Sequence, residues 1–359
     1  MNDRLNERQS LLNRIMNPKY IMVYATVIIF LIIYTYGAIR YGSIGFTTLR
    51  TFVNFFADNA YYGISAVGMT MVLITGGIDL SVASVASLTG MIIAYGYERM
   101  GISPVVTMLF SVLVGVGLGA LMGAAIHYLN VPPFITTLTG NFLARGVCSL
   151  ISRESISINH PLIDALAGFK IYLYHRVDGE WVKIKPVTSI NLTVILFLVM
   201  IVLGTILLQH TRFGRNVYAV GGSESSARLM GLPVGKTKIA VYAINGFCSA
   251  LAGIAYVLIV KSGWNMSLQG GELEVISSAV IGGTLLTGGV GNVIGTLFGT
   301  MILATIQKII ALSPLNASWW QDMASGAMLG LFILLQSVVL SRRGRGRMKL
   351  PSWLKLKKE

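Results

Sequence analysis

Apolar runs of about 16 to 25 residues recur along the whole chain, separated by short polar breaks, and a helix needs roughly 20 such residues to cross a bilayer core. They fall at 20–39, 51–75, 80–97, 105–129, 134–151, 190–209, 238–260, 273–288, 292–312 and 322–341. The pattern predicts an all-α integral membrane protein of about ten transmembrane helices. Glycine, serine and threonine stud several of these runs, as in GVGLGALMGAA at 115–125. Small residues let helix backbones approach closely where no hydrophobic force separates helix from lipid. Arg4, Arg8, Arg14 and Lys19 precede the first run in the manner of a secretory leader. Its length, and the lack of a small-residue cleavage site after it, predict a retained first helix.

Two polar stretches interrupt the rhythm. Residues 210–238 carry Arg212, Arg215, Arg228, Lys236 and Lys238, and the C-terminal end carries Arg342, Arg343, Arg345, Arg347, Lys349, Lys355, Lys357 and Lys358. Clustered Lys and Arg mark the cytoplasmic side, so the N-terminus, this loop and the C-terminus are all expected inside. Six helices separate the first two and four separate the last two, even numbers that make the assignment self-consistent. Residues 152–189, with Arg153, Glu154, Asp164, Lys170, Asp178, Glu180 and Lys185, then fall outside as a periplasmic loop. In it VDGEW (177–181) suits a tight hairpin, and Tyr172 and Trp181 suit the membrane interface. The expected layout is a cytoplasmic segment 1–19, a transmembrane domain 20–341 and a basic tail 342–359.

Composition sharpens this. Of 359 residues 54% are hydrophobic and 12% charged, against roughly 25% charged in a soluble domain; the mean hydropathy is +0.71. The net charge is +14. Beside a membrane helix a basic tail meets anionic lipid, so membrane lipid is the expected partner and nucleic acid is not. Cys148 and Cys248 are the only cysteines and both sit in apolar runs, which gives neither a disulfide framework nor a metal cluster.

Catalytic equipment is thin. His127, His160, His175 and His210 stand in no metal-ligand spacing, no nucleophile elbow occurs, and no paired carboxylates lie in acid–base geometry. The chain reads as a non-catalytic protein with no cofactor and no metal. Intramembrane charge is sparse, which disfavours a proton-relay pump. The polar residues within the runs are mostly neutral: Asn54, Asn59, Thr70, Thr75, Thr136, Thr137, Thr139, Asn141, Asn245, Ser277 and Ser278. Hydroxyls and amides suit a path for a neutral polyhydroxylated solute; helix-to-helix hydrogen bonding is their other use.

Three features stand above that background. In GGIDLS (76–81), Gly76 and Gly77 break a helix and Asp79 is placed to cap the next one, at a break of the kind found along transport paths. In RFGRNVYAVGGSESSARLMGLPVGKTK (212–238), Ser223 or Glu224 can cap a short helix Ser225 to Met230, ended by Gly231; such an exposed helix suits a groove on a soluble partner. Within it GLPVGKT (231–237) mimics a phosphate-binding loop, but Gly231 and Gly235 are one residue too close and no strand precedes them. Any ATP hydrolysis is therefore expected on another chain. In GGELEVISSAVIGGTLLTGGVGNVIGTLFGT (270–300), Glu272 and Glu274 open a helix, where negative charge is favourable. LITGGI (73–78) and LLTGGV (285–290) also form a faint internal repeat.

Together these stretches resemble the permease subunits of bacterial simple-sugar ABC importers of the ribose, xylose and galactose type. GGIDLSVAS (76–84), TRFGRNVYAVGGSESSARLMGL (211–232) and SSAVIGGTLLTGGVGNVIGTLFG (277–299) carry the resemblance, in order across roughly 20–340. SRESISINHP (152–161), SARLMG (226–231) and NASWWQDMASGAMLGLFILLQ (316–336) are most similar to the galactofuranose permease. Ala83 and Ser223 replace the residues more usual in that pattern. The resemblance implies a ribose-permease type of fold in the bacterial inner membrane. It implies two permease chains, alike or different, two ATPase subunits below and a periplasmic sugar-binding protein above. Glu224, Ser225, Ser226, Ala227, Arg228 and Gly231 would be the ATPase-coupling segment. Gly76, Gly77, Asp79, Asn59, Thr70, Asn141, Ser277 and Ser278 are the expected path and gating residues. The rival expectation is a stand-alone secondary transporter or channel for a small polar solute.

Overall fold

The structure is a computed structural model that describes residues 18–177, 180–183, 187–314 and 317–345. Helices dominate: α1 (Pro18–Tyr41), α2 (Leu49–Ile74), α3 (Val82–Glu98), α4 (Pro104–Tyr128), α5 (Pro133–Ile151), α6 (Pro161–Gly168) and α7 (Leu192–His210). After them come α8 (Arg212–Gly222), α9 (Glu224–Leu229), α10 (Val234–Val260), α11 (Gly271–Ile281), α12 (Val293–Leu312) and α13 (Ser318–Arg345). Among the described residues six helical stretches are long and apolar enough to cross a membrane: Val23–Ile44, Pro104–Tyr128, Pro133–Ile151, Leu192–His210, Val234–Val260 and Val293–Leu312. The chain is thus a multi-pass, mainly helical membrane protein.

Helix starts follow local chemistry. Pro104, Pro133 and Pro161 each stand in the first turn of a helix, where the missing N–H has no intrahelical partner to lose. Thr48 and Asn292 cap α2 and α12 by accepting the amides of Thr51 and Ile294.

Helices α2 and α10 form the centre of the bundle. Helix α10 packs along α4, α2 and α3, while α2 also meets α7, α11 and α12. The small-residue run of 115–125 works as its composition implies: a Cβ on Gly115, Gly119 or Gly123 would meet the backbone of Gly246, Tyr242 or Ile239, so α4 and α10 touch main chain to main chain. The second half of α2, from Gly63 to Ile74, is buried throughout.

The run 273–288 is not one helix, contrary to its hydropathy. It folds as α11, which stops at Ile281, followed by an irregular segment 282–292. Gly282 packs against the backbone of Gly295, and Gly283, Gly288 and Gly289 all have positive φ. That geometry ends a helix, although the residues are apolar enough to continue one.

The loop 152–189 is built rather than loose. Strand β1 (Ile156–Ser157) pairs antiparallel with β6 (Ser262–Gly263), and β2 (Lys170–Tyr172) pairs with β5 (Ser189–Asn191). Strands β3 (Tyr174–Val177) and β4 (Glu180–Lys183) form the expected hairpin with Val177 opposite Glu180; its tip, 178–179, lies outside the described residues, as do 1–17 and most of the basic tail. Tyr172 is exposed. This strand cluster marks one end of the bundle, and α8 and α9 mark the other.

Candidate functional site

The chemistry gathers in three places along the bundle. The first is α9. Ser223 caps it, its hydroxyl accepting the Ser226 amide at 3.2 Å. At its far end Gly231 takes φ +74°, and the Gly231 and Leu232 amides donate to the Arg228 and Ala227 carbonyls, a glycine-based helix stop. Ser225, Ser226, Arg228 and Gly231 are exposed, whereas Ala227 is fully buried against Val220 and Val234. Its methyl anchors the helix to the bundle. Leu229 and Met230, which the sequence had not singled out, are 90% and 67% exposed, so the outer face of this short helix is apolar as well as basic. Lys238 on α10 donates to Glu224 at 2.6 Å and Arg228 reaches the same carboxylate at 3.3 Å. The Lys238 bond, aided by the charges of Lys238 and Arg228, holds the Glu224 carboxyl below its usual range, against a smaller opposing effect of burial. GLPVGKT runs out of α9 into α10 and is preceded by helix, not strand, a geometry unlike a phosphate-binding loop.

The second place is where α8 meets the two Thr-Gly-Gly turns. Helix α8 was not expected; beside Arg212 and Arg215 its apolar side, Gly214, Val217 and Val220, is the buried one. At its end Gly221 lies against the Ile74 carbonyl and the Gly289 amide, so that a Cβ there would collide with both. The Gly289 amide donates to the Ile74 carbonyl at 2.8 Å, Gly288 lies against Gly76, and the Tyr218 hydroxyl donates to the Gly291 carbonyl at 2.8 Å. The two halves of the faint repeat therefore touch, but their backbones differ. LITGG is the end of a continuous helix, while LLTGG is a tight loop in which Gly288 bonds Leu285 and Leu285 bonds Val290.

Behind this junction sits Asp79, fully buried. Its Oδ1 accepts the Ser81 amide at 2.8 Å and hydroxyl at 2.6 Å, and its Oδ2 accepts the Asn245 amide at 2.7 Å. The carboxylate thus holds the turn before α3 and ties it to α10. Gly76 is exposed at the turn; Gly77 is buried under the Tyr242 hydroxyl. Thr70 is buried with its hydroxyl 2.6 Å from that of Thr296, joining α2 to α12. Ser277 and Ser278 are buried in α11, and Asn141 is half-buried on α5. In this conformation Thr70, Asp79, Ser277 and Ser278 all lie buried in the packed interior.

The third place is a cavity of about 460 Å³ near the strand-bearing end, between α2, the start of α11, α12 and α13. Asn59 lines it, joined by Asp58, Tyr61, Tyr62, Glu274, Gln307, Gln321, Asp322 and Ser325. Asn59 also donates to the Phe55 carbonyl at 3.2 Å. The Tyr61 and Tyr62 rings stand 4.3 Å apart and Tyr61 meets Tyr256 at 5.2 Å. Sequence reasoning found Asn59 and Glu274 here but not the cavity, because its members come from three distant segments. Another bond it missed is Arg145 on α5, which donates to the Asn265 and Ser267 carbonyls at 2.8 and 2.7 Å and so braces the segment that enters α11. Among the described residues no group of three or more His, Cys, Asp or Glu is arranged to hold a metal ion.

Comparison with known proteins adds the following. The family model described as "Branched-chain amino acid transport system / permease component" matches residues 51–334. The Inner membrane ABC transporter permease protein YjfF of Escherichia coli (strain K12) is 42% identical over 292 residues, covering 81% of this chain and 85% of its own. The Fructose import permease protein FruG of Bifidobacterium longum (strain NCC 2705) is 36% identical over 320 residues, 89% of this chain and 92% of its own. The Ribose import permease protein RbsC of Escherichia coli (strain K12) is 32% identical over 292 residues, 81% and 87% respectively. No solved structure matches the chain.

Proposed function

This chain belongs to the family of branched-chain amino acid transport system permease components, the ABC transporter permeases, and on that footing we propose that it is the membrane-spanning subunit of an ATP-driven monosaccharide importer in a bacterial inner membrane. The carrying observation is the unbroken line from exposed α9, through α8 and Gly221, to the Thr-Gly-Gly junction. A soluble ATPase that grips the exposed Arg228, Leu229 and Met230 moves α9. Because Glu224 ties α9 to α10 and Gly221 ties α8 to both turns, that displacement is delivered to the packed interior around Asp79 and Thr70. Transport then follows as a rigid-body change of access around the path. The chain itself performs no catalysis.

In this proposal α9 lies in the cytoplasm and the strand cluster faces the periplasm, where a sugar-binding protein delivers the solute. The described helices make about ten passes, with α11 and the segment after it counted as one, and a second permease chain completes the path. Galactofuranose is the proposed solute, from the resemblance carried by 152–161, 226–231 and 316–336. Relatives named for fructose and ribose import support a monosaccharide.

Purification from native membranes in mild detergent, with mass spectrometry of every co-purifying chain, tests the assembly. A P-loop ATPase is the expected partner. Recovery of this chain alone, from membranes where it still supports uptake, would favour a stand-alone secondary transporter. The carboxylates of Asp58 and Glu274 in the cavity wall are the feature that second reading would use, since ion coupling needs intramembrane acidic groups.

A further inference from the structure

The cavity near the strand-bearing end combines groups that a simple conduit does not require. Tyr61 and Tyr62 present two adjoining rings, Asp58, Glu274 and Asp322 present carboxylates, and Gln321 presents an amide. Ionised carboxylates only accept hydrogen bonds, whereas an amide both donates and accepts. Hydroxyl groups of a sugar serve both, and the C–H face of a sugar ring packs on an aromatic face. A volume of about 460 Å³ lies in the ordinary range for small-molecule sites, roughly 300–1,000 Å³. No Lys or Arg is among the described lining residues; Lys308, near Asp58, is the closest positive influence on that carboxylate.

We propose that this cavity is a solute-holding subsite on the permease chain itself, selective for neutral or cationic polyhydroxylated solutes and closed to anionic ones such as uronates and sugar phosphates. The solute class rests on the importer reading above; the charge selectivity rests on the cavity alone. An anionic solute would place its charge against carboxylates with no Lys or Arg among the described lining residues to answer it, Lys308 lying beyond them, and like-charge juxtaposition is a strong means of rejection. The permease thereby checks a delivered solute a second time, in charge where the external binding protein checks shape.

The test uses the full chain in lipid nanodiscs. Cys148 and Cys248 are buried, so Leu273→Cys, on the half-exposed wall of the cavity, supplies the thiol that reagents reach. Positively and negatively charged methanethiosulfonates are compared by rate, each normalised to a free thiol. The expected result is a preference for the cationic reagent of about tenfold, the lower end of electrostatic focusing in a charged cleft. That preference should collapse in the Asp58→Asn/Asp322→Asn background. D-Galactose, D-fructose and D-ribose at about 100 mM, enough to fill a site of roughly millimolar Kd, should include at least one that slows modification. D-Galacturonate should not. No slowing by any of the three neutral sugars would overturn the subsite, and equal slowing by galacturonate would overturn its charge selectivity. Gln321→Cys repeats the experiment from another lining position, so a poorly folding Leu273→Cys leaves the outcome decidable. The importer reading is read separately, from ATPase co-purification.

Discussion

The Gly289 amide donates to the Ile74 carbonyl across 2.8 Å, joining the end of α2 to the loop after α11 through main-chain atoms, with Gly221 pressed against both. A side chain at 221 has nowhere to go. Gly221→Val should therefore leave the chain inserted in the membrane while breaking the link between α8 and the two turns. Overpacking costs about 1–3 kcal/mol, so uptake should fall by about ten- to a hundredfold at equal expression. Wild-type uptake by a fully expressed Gly221→Val chain would show that the junction takes no part in transport.

Tyr218 offers a milder probe of the same contact. Its hydroxyl bonds the Gly291 carbonyl at 2.8 Å, and Tyr218→Phe removes that bond without changing the ring. A neutral hydrogen bond contributes about 0.5–1.5 kcal/mol, which predicts a several-fold loss of uptake, smaller than that of Gly221→Val. Transport assays on both variants in one membrane background give the ranking.

Charge and apolar contact on α9 can be separated. Arg228→Glu reverses the exposed charge and sets two carboxylates facing each other one helical turn apart; Leu229→Ser removes a side chain that is 90% exposed. Both should reduce ATPase co-purification, Leu229→Ser with little loss of thermal stability because its side chain is almost wholly exposed. Undiminished ATPase recovery with both variants would move the docking surface elsewhere.

Asp79 is a question of stability. Asn245→Leu keeps the bulk but leaves the buried Oδ2 without its 2.7 Å partner. Hydrogen bonds to a charged group contribute about 1.5–3 kcal/mol, so the thermal midpoint in detergent should fall clearly. Thr296→Val, which removes a neutral hydroxyl pair with Thr70, should lower it less. The reverse order would mean that Asp79 does not rely on Asn245.

A pH effect follows from Glu224. Its carboxyl titrates below the ordinary 4.5 because Lys238 hydrogen-bonds it and the charges of Lys238 and Arg228 reinforce that, with burial opposing. A carboxylate depressed in the folded state adds stability above its unfolded value and loses it as pH falls through the folded value. The tie between α9 and α10 should thus be intact at neutral pH and released only as the pH falls below the usual carboxylate range. Glu224 is 40% exposed, so the contribution is under about 1 kcal/mol. Protease nicking of 223–233 should rise on acidification in wild type and show no such rise in Glu224→Gln.

The apolar runs foretold the helices because a bilayer leaves little room for other solutions, and the capped, glycine-ended α9 was legible because Ser223 and Gly231 act on their immediate neighbours. The break at Gly282 and Gly283 was not, since hydropathy reports affinity for lipid and is blind to the approach of Gly295 that ends α11. Helix α8 escaped for a different reason: at 11 residues it is too short to cross a bilayer, so the pattern of spanning apolar runs does not include it. The local sequence makes Asp79 a helix cap, but its second oxygen answers Asn245 from 166 residues away, a distance no local rule spans. The cavity behind Asn59 was invisible for the same cause, its walls coming from 58–62, 269–274, Gln307 and 321–325.

The close approach of Gly221, Gly288 and Gly289 has a consequence for heredity. Every amino acid that a single base change can put in place of glycine carries a Cβ, and at Gly221 even the smallest of them, alanine, collides with main chain. Among single base changes at these codons only the silent third-position ones are gentle. A screen of randomly mutated genes for chains that are made and inserted, yet silent in uptake, should return glycine codons at this junction far more often than their share of the gene.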